Sequence, residues 1–398
     1  PLVSKDAEGQ WAGVEQRLTF LGATTSLSIS MLGTGVVAFP YAIGLCGLVA
    51  GPLLLCLFGA LAHVSYVALI ETGKKFRATS YGALLQAIPK GWTHYANISL
   101  WLLLILATTA YVLIAKNIIL SVAAQEFDDL PLPLFLQNEF LFAEILLVMF
   151  PICLPRTLHG LSVFSSYCTC AMVVVVLLVI WKAWCIQSQS PPLPALAASA
   201  KFTPSSAILA VPIVSCAMFG HMNISQIYAE LQPQVKPLAS MVSSAACTLV
   251  VAIYMLVGLV GYMAFGASVG PDLMAQIAAE SGEDAVVVLA QILLTSFIVL
   301  KTPMLILPLR NLSVAIFVPS RSPAELSAAP HALLTFGLLV CVYVVADLLP
   351  DLGQVLQVLG FLVVIPLCFV VPARLAVESG SLRPTSAGLV AAVGVLAS

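Results

Sequence analysis

Residues 24–41 read TTSLSISMLGTGVVAFPY, and how this stretch is understood settles the rest of the chain. It lies inside an apolar segment long enough to cross a bilayer, yet it is a poor continuous helix. Gly33 and Gly35 weaken helical propensity on either side of Thr34, and Pro40 lacks a backbone donor. Hydroxyls at Thr24, Thr25, Ser26, Ser28, Ser30 and Thr34 occupy positions where lipid favours Leu or Ile. In hydrocarbon, backbone groups released from a helix need partners in protein, water or a bound solute. Two readings fit the stretch alone: a solute site, or glycines that let a second helix approach closely.

The composition around it sets the class. Of 398 residues, 61% are hydrophobic and 9% charged, with a mean hydropathy of +1.06. Soluble domains carry about 25% charged residues, so this is an all-α polytopic membrane protein whose first partner is the lipid bilayer. A formal net charge of −2 without a basic cluster argues against a nucleic-acid partner. Ten cysteines lie mostly in apolar runs with no CxxC pair, and read as small apolar residues rather than metal ligands. Cys46 and Cys185 lie near helix ends, where pairing stays open. No HExxH pair, serine elbow or cluster of cytosolic acids supports an enzyme. The chain starts at Pro1 without a signal peptide, which reads as an excerpt of a longer protein.

Against the ~20 residues that a spanning helix needs, the apolar runs give ten full segments and a partial eleventh. They are 20–46, 51–73, 94–120, 140–156, 159–184, 206–228, 239–266, 285–309, 331–349, 353–374 and 385–398. Placing the N-terminus in the cytosol puts twelve of the sixteen Lys and Arg residues inside, from Lys5 and Arg17 to Arg310, Arg374 and Arg383. The outer loops hold acids, among them Asp128, Asp129, Asp272, Glu283 and Asp284. The domain scheme follows. Residues 1–19 form a cytosolic segment, 20–184 a first repeat, and 185–205 an extracytosolic linker. Residues 206–374 form a second repeat, and 375–398 a cytosolic loop with a partial last span.

Segment 6 opens the second repeat as segment 1 opens the first. It reads AVPIVSCAMFGHMNISQIYAEL over 210–231, interrupted by Pro212 and the patch from Gly220 to Asn223. Interrupted helices at corresponding places of two halves point to a midplane substrate site in inverted-repeat transporters. The pair of breaks shifts the weight from packing to a solute site.

At this point the residues resemble a known family. SMLGTGVVAFPYAIGLCGLVAGP in segment 1, HMNISQIYAEL in segment 6 and PMLILPLRNL at the end of segment 8 are similar to the amino acid/auxin permease family. The likeness is strongest to its sodium-coupled neutral amino acid transporter branch, and helix 1 is also similar to the proton-coupled amino acid transporters. The resemblance implies eleven helices in a five-plus-five inverted repeat, with substrate between broken helices 1 and 6 of a monomeric transport unit. It places the substrate carboxylate on backbone groups around Met31, Gly33, Thr34 and Gly35, at a half-helix N-terminus. The amino group then faces Ser28, Ser30 and the break formed by Phe219, Gly220, His221, Met222 and Asn223. His221 stands where the family motif carries histidine, either packed on a carbonyl or acting on substrate or proton.

Two departures concern the driving ion. Sodium-coupled members carry an asparagine where this chain has Ile29, and a hydroxyl where it has Lys301. Both changes remove oxygen ligands. The expectation is that the Lys301 ammonium reaches toward the helix 1 break and stands in for sodium, so that transport is sodium-independent or proton-coupled without another cofactor. A one-residue slip would put Thr302 at the ion position and keep sodium as the alternative. Snorkelling is the competing account, with Lys301 about 8 residues or ~12 Å above the inner helix end.

Elsewhere His63 reads as a satisfied interhelical histidine, and Glu71 and Glu230 as interfacial partners of Lys74 and Lys236. Glu144 reads as solvated, and Asn117 as a possible outer gate contact. Small neutral amino acids are the default cargo, in the plasma membrane or a vacuolar or lysosomal membrane. A sensor of the same fold without flux is the remaining alternative.

Overall fold

The computed structural model describes residues 18–33, 35–78, 81–85, 90–126, 138–155, 162–188, 204–282, 284–318 and 326–380. Residues 1–17, Thr34, most of the linker and the partial segment at 385–398 lie outside them. Among the described residues every regular element is helical, joined by one isolated β-bridge between Leu18 and Leu231.

The first apolar segment is two helices, α1 (Phe20–Met31) and α2 (Gly35–Cys46), bent by 63°. After them come α3 (Ala50–Phe76), a single turn α4 (Tyr81–Leu85), α5 (Lys90–Glu126), α6 (Asn138–Cys153) and α7 (Ser162–Gln187). The second half opens with α8 (Pro204–Ala217) and α9 (His221–Glu230), separated at Met218–Gly220. It continues through α10 (Ala239–Phe265), the short α11 (Leu273–Ser281), α12 (Ala285–Phe317) and α13 (Ala328–Leu348). Last, α14 (Leu352–Leu359) passes through two wide turns, Gly360–Val364 and Pro366–Val370, into α15 (Val371–Ser379).

Eight spans here are long and apolar enough to cross a membrane, or nine with α1 and α2 taken as one bent span. The fourth expected segment falls short because α6 has 16 residues, about 24 Å of rise against about 30 Å of hydrocarbon. Leu21, Leu147, Trp184, Leu333 and Leu348 are each more than half exposed. Such an outer surface suits lipid, where apolar contact costs nothing.

Helix ends explain the outer acids. The carboxylates of Asp272, Asp284 and Asp351 accept the backbone N–H groups of Ala275, Val286 and Gln354, capping α11, α12 and α14. At the other end of α1, the Thr19 hydroxyl accepts the Gly22 N–H at 3.1 Å.

Two helices overrun the expected boundaries by six residues or more. α5 continues six residues past 120, so Lys116 and Asn117 lie within it rather than at its end. α12 runs to Phe317, which places Arg310 inside a helix and not in an inner loop. Its buried guanidinium donates to the carbonyls of Cys153 (3.1 Å) and Pro155 (3.0 Å) and to the Thr335 hydroxyl (3.1 Å). The His331 ring meets the carbonyl of Leu154 at 2.9 Å. Together they satisfy the orphan carbonyls that end α6.

The interior is organised on the broken helices. α2 packs on α8 and α10, and α10 also lies along α1, α3 and α7. α12 is held between α5 and α7, while α3 lies beside both α8 and α9. The first wide turn after α14 presses on α8, where a Cβ on Gly360 would stand 2.3 Å from the Pro212 oxygen. Only glycine fits that approach.

Candidate functional site

The two breaks meet at the centre of the molecule. A Cβ on Gly220 would stand 3.0 Å from Met31 Cγ and 3.5 Å from Ser30 Cβ, so the second break rests against the first. Asn223 Nδ2 donates to Ser30 Oγ at 3.0 Å, tying α9 to α1. Gly35 lies opposite α8, its Cβ position 3.6 Å from Ala217 Cα. Five of the expected residues, Ser30, Met31, Gly35, Gly220 and Asn223, therefore form one cluster. Thr34 lies outside the described residues.

At the first break α1 ends on Met31, Leu32 turns extended, and α2 starts again at Gly35. The Tyr254 hydroxyl of α10 donates to the Met31 carbonyl at 3.1 Å. A Cβ on Gly35 would lie 3.1 Å from that hydroxyl oxygen of Tyr254. The hydroxyl of Tyr111, on α5, comes within 3.8 Å of the place a Gly33 Cβ would take. At the second break the Tyr66 hydroxyl of α3 donates to the Met218 carbonyl at 2.9 Å, and a Cβ on Gly220 would lie 2.9 Å from that hydroxyl.

His221 opens α9 and is 1% exposed, with neither ring nitrogen hydrogen-bonded. Its ring stacks on Tyr66 at 4.3 Å and lies 6.2 Å from the rings of both Phe219 and Phe369. The packed-on-a-carbonyl reading of this histidine is thus set aside. One turn further on, the buried Ser225 hydroxyl is also without a partner, as is Thr24 on α1. Unpaired buried polar atoms are costly, and here they lie on the two half-helices α1 and α9.

At the end near Leu18 and Leu231 the cluster is closed by main chain. Leu18 N–H donates to the Glu230 carbonyl at 2.9 Å, and Gln232 N–H donates back to the Leu18 carbonyl at 3.0 Å. At the opposite ends of the helices the links are side chains. Asn117 Nδ2 donates to Asp272 at 3.0 Å, Gln291 Nε2 donates to Ser121 at 2.6 Å, and Lys182 pairs with Asp284.

Paired helix breaks in an apolar bundle are what the resemblance to the amino acid/auxin permease family implies. Residues 16–379 match the family described as transmembrane amino acid transporter protein. The chain belongs to that family. It is 26% identical to the amino acid transporter AVT6E of Arabidopsis thaliana, over 96% of this chain and 79% of that protein. It is 25% identical to solute carrier family 38 member 8 of Mus musculus, over 88% of this chain and 82% of that protein. A shorter match, 24% identical over 44% of this chain and 34% of that protein, is to sodium-coupled neutral amino acid symporter 2 of Danio rerio. The resemblance to the amino acid/auxin permease family is borne out, and the relatives are transporters, not enzymes.

Not every expected residue of this chain joins the cluster. The Ser28 hydroxyl is buried and donates to its own helix at the Thr24 carbonyl, 2.8 Å away. Thr302 does the same at Ile298, also at 2.8 Å, so neither hydroxyl reaches outward. Both follow the common habit of helical Ser and Thr to bond one turn back. Ile29 and Met222 are half-buried without a polar role.

Lys301 lies deeper in its helix than expected. α12 has 33 residues and Lys301 stands at its middle, 16 residues from the end at Phe317, or about 24 Å. A lysine side chain does not span that distance. Cys168 on α7 lies within electrostatic reach of Lys301, and no acidic partner is seen for it among the described residues.

Other readings are met. His63 Nδ1 pairs with Ser243 Oγ at 2.8 Å between α3 and α10, and Lys74 pairs with Glu71 at 2.5 Å. Glu230, expected beside Lys236, is held instead by the Gln226 amide at 2.9 Å, and the Lys236 ammonium stands over the Tyr228 ring. All ten cysteines are free, Cys46 and Cys185 included. Glu144 lies in α6, with its side chain outside the described residues. The sequence reading missed Tyr66, Tyr111 and Tyr254. The available signal was a phenol in mid-span, since a polar tip in hydrocarbon must find a partner.

Proposed function

We propose that this chain is a secondary transporter of small neutral amino acids, working by alternating access between the two helix breaks. One observation carries the reading: the breaks touch, with Gly220 packed on Met31 and Asn223 bonded to Ser30. The first turn of α2 supplies backbone N–H groups and the positive end of a helix dipole for a carboxylate. The carbonyls of Met31 and Met218 each spend one lone pair on a tyrosine and keep the other for an ammonium. Residues 24–41 and 210–229 contain no Asp, Glu, Lys or Arg, which favours a cargo with an uncharged side chain. The inner β-bridge at Leu18–Leu231 and the side-chain links at the other end are gates on either side of the site.

The driving ion belongs to the same proposal. Transport is sodium-independent, with Lys301 as the resident cation. If Lys301 exchanges its proton during the cycle, transport is proton-coupled; if it stays charged, the protein is a facilitator. The mid-helix position and the lack of a carboxylate partner support this role. The name of the zebrafish relative favours the sodium alternative. The transport unit is a monomer with a cytosolic N-terminus, in the plasma membrane or a vacuolar or lysosomal membrane.

Counterflow in proteoliposomes, screened over the twenty amino acids at two pH values in sodium and in choline, tests the whole. The expected result is exchange of small neutral amino acids, equal in the two salts. Lys301→Thr should abolish it or make it depend on sodium. Sodium-dependent uptake by the unmutated protein overturns the Lys301 role. Binding without exchange turns the reading to a sensor.

A further inference from the structure

The two breaks are held by the same device, and each is held from the other half of the chain. At the first, a phenol on α10 donates to the carbonyl of Met31. At the second, a phenol on α3 donates to the carbonyl of Met218. In both cases the hydroxyl also stands beside a glycine of the break: a Cβ on Gly35 would lie 3.1 Å from the Tyr254 oxygen, and one on Gly220 2.9 Å from the Tyr66 oxygen. Both supporting helices are unbroken, 27 residues long, and carry the tyrosine near the middle. Both rings are wholly buried and braced by an aromatic neighbour. Tyr66 stacks on His221 at 4.3 Å, and Tyr254 meets Phe39 edge-on at 5.4 Å.

We propose that Tyr66 and Tyr254 are a matched pair of positioning residues for the substrate site, each fixing the broken helix of the opposite repeat. A break in hydrocarbon frees a carbonyl and an N–H whose desolvation is expensive. A phenol has one donor, and each of these tyrosines gives it to the freed carbonyl. The break is then held in one geometry before any solute arrives, and binding does not have to order it. The exchange of partners between halves is what two like repeats packed in opposite orientations produce. α3 follows the first broken helix and secures the second; α10 follows the second and secures the first.

This inference rests on the proposed substrate site, and its test separates the two. Tyr66→Phe and Tyr254→Phe remove only the hydroxyl. Tyr81→Phe is the control, because its buried hydroxyl also donates to a backbone carbonyl, that of Leu367 at 2.8 Å, which belongs to neither break. In reconstituted full chain, each positioning variant should raise KM for the transported amino acid about fivefold to tenfold, the worth of one buried hydrogen bond. The control should shift thermal stability equally and KM less than about twofold, because it frees no carbonyl at a break. Hydrogen exchange supplies a readout that needs no transport. Tyr254→Phe should speed exchange over residues 31–36 and leave 218–223 unchanged, and Tyr66→Phe should do the reverse. Altered exchange without any uptake by the unmutated protein leaves the pair standing and removes the transporter reading. Unchanged exchange at both breaks, or a KM shift matched by Tyr81→Phe, overturns the inference.

Discussion

The two breaks share their support but not their interiors. The first is a glycine pair around a threonine, bent by 63° and with room beside it. The second lies within one candidate span at 206–230, has a single glycine, and is packed with Phe219 and an unpartnered histidine. The first has room at Gly33; the second is crowded and carries His221, neither of whose ring nitrogens has a partner. A bound solute would thus be oriented by backbone on the first side and read by side chains on the second.

Glycine replacement breaks this comparison most sharply. Gly220→Ala puts a methyl 2.9 Å from the Tyr66 oxygen and 3.0 Å from Met31. Met31 can shift, but Tyr66 is committed to Met218. Overpacking of this kind costs about 1–3 kcal/mol, and uptake should fall at least about tenfold, with a lowered melting temperature. Gly33→Ala meets nothing closer than 3.8 Å. Its effect is the ~1 kcal/mol by which alanine favours unbroken helix, and uptake measured in the same vesicles should fall only a fewfold.

His221→Phe tests the crowded side. It keeps an aromatic ring between Tyr66 and Phe369 while removing two nitrogens that no protein group satisfies. Thermal stability should stay level or rise by about 1 kcal/mol, while uptake drops. A fall in both would mean that the ring nitrogens are satisfied structurally.

The bridge between the breaks is weaker. A double-mutant cycle over Ser30→Ala and Asn223→Ala should give a coupling of about 0.5 kcal/mol in stability, since the bond is partly solvated. The smallest effect concerns pH. The Lys182 ammonium, with the backbone N–H of Val286, holds the Asp284 carboxyl below its ordinary value of 3.8. A depressed carboxylate stabilises the fold above that ordinary value and loses its contribution as pH falls through the lower folded value. Melting curves of the protein and of Lys182→Gln should therefore stay parallel from pH 5 to 8 and converge only below about 4.

Much of this was readable before any coordinates. Gly33, Gly35 and Gly220 mark the breaks by helix propensity alone, and their matching places in two halves predict a midplane site. The hydroxyls were harder. Ser28 and Thr302 looked available in sequence, but each bonds one turn back along its own helix, a choice set by rotamer and helix geometry. Lys301 was placed by assuming that α12 ended at 309, whereas the apolar pattern continues through an arginine that the fold buries. Arg310 escapes the usual rule for charges because the end of α6, distant in sequence, brings it carbonyls.

Composition and local propensity were enough to define a bundle of membrane spans and its interrupted pair, because lipid punishes every unpaired backbone group and leaves few alternatives; the family came from the motifs in segments 1, 6 and 8. Which side chains repair those interruptions lay beyond the linear pattern. Tyr66 and Met218 are 152 residues apart, and Tyr254 and Met31 are 223 apart. Nothing local distinguishes these two phenols from the other tyrosines of the chain. Only the packing of α3 and α10 across the breaks selects them, since a hydrogen bond depends on where two atoms end up and not on where they sit in the chain.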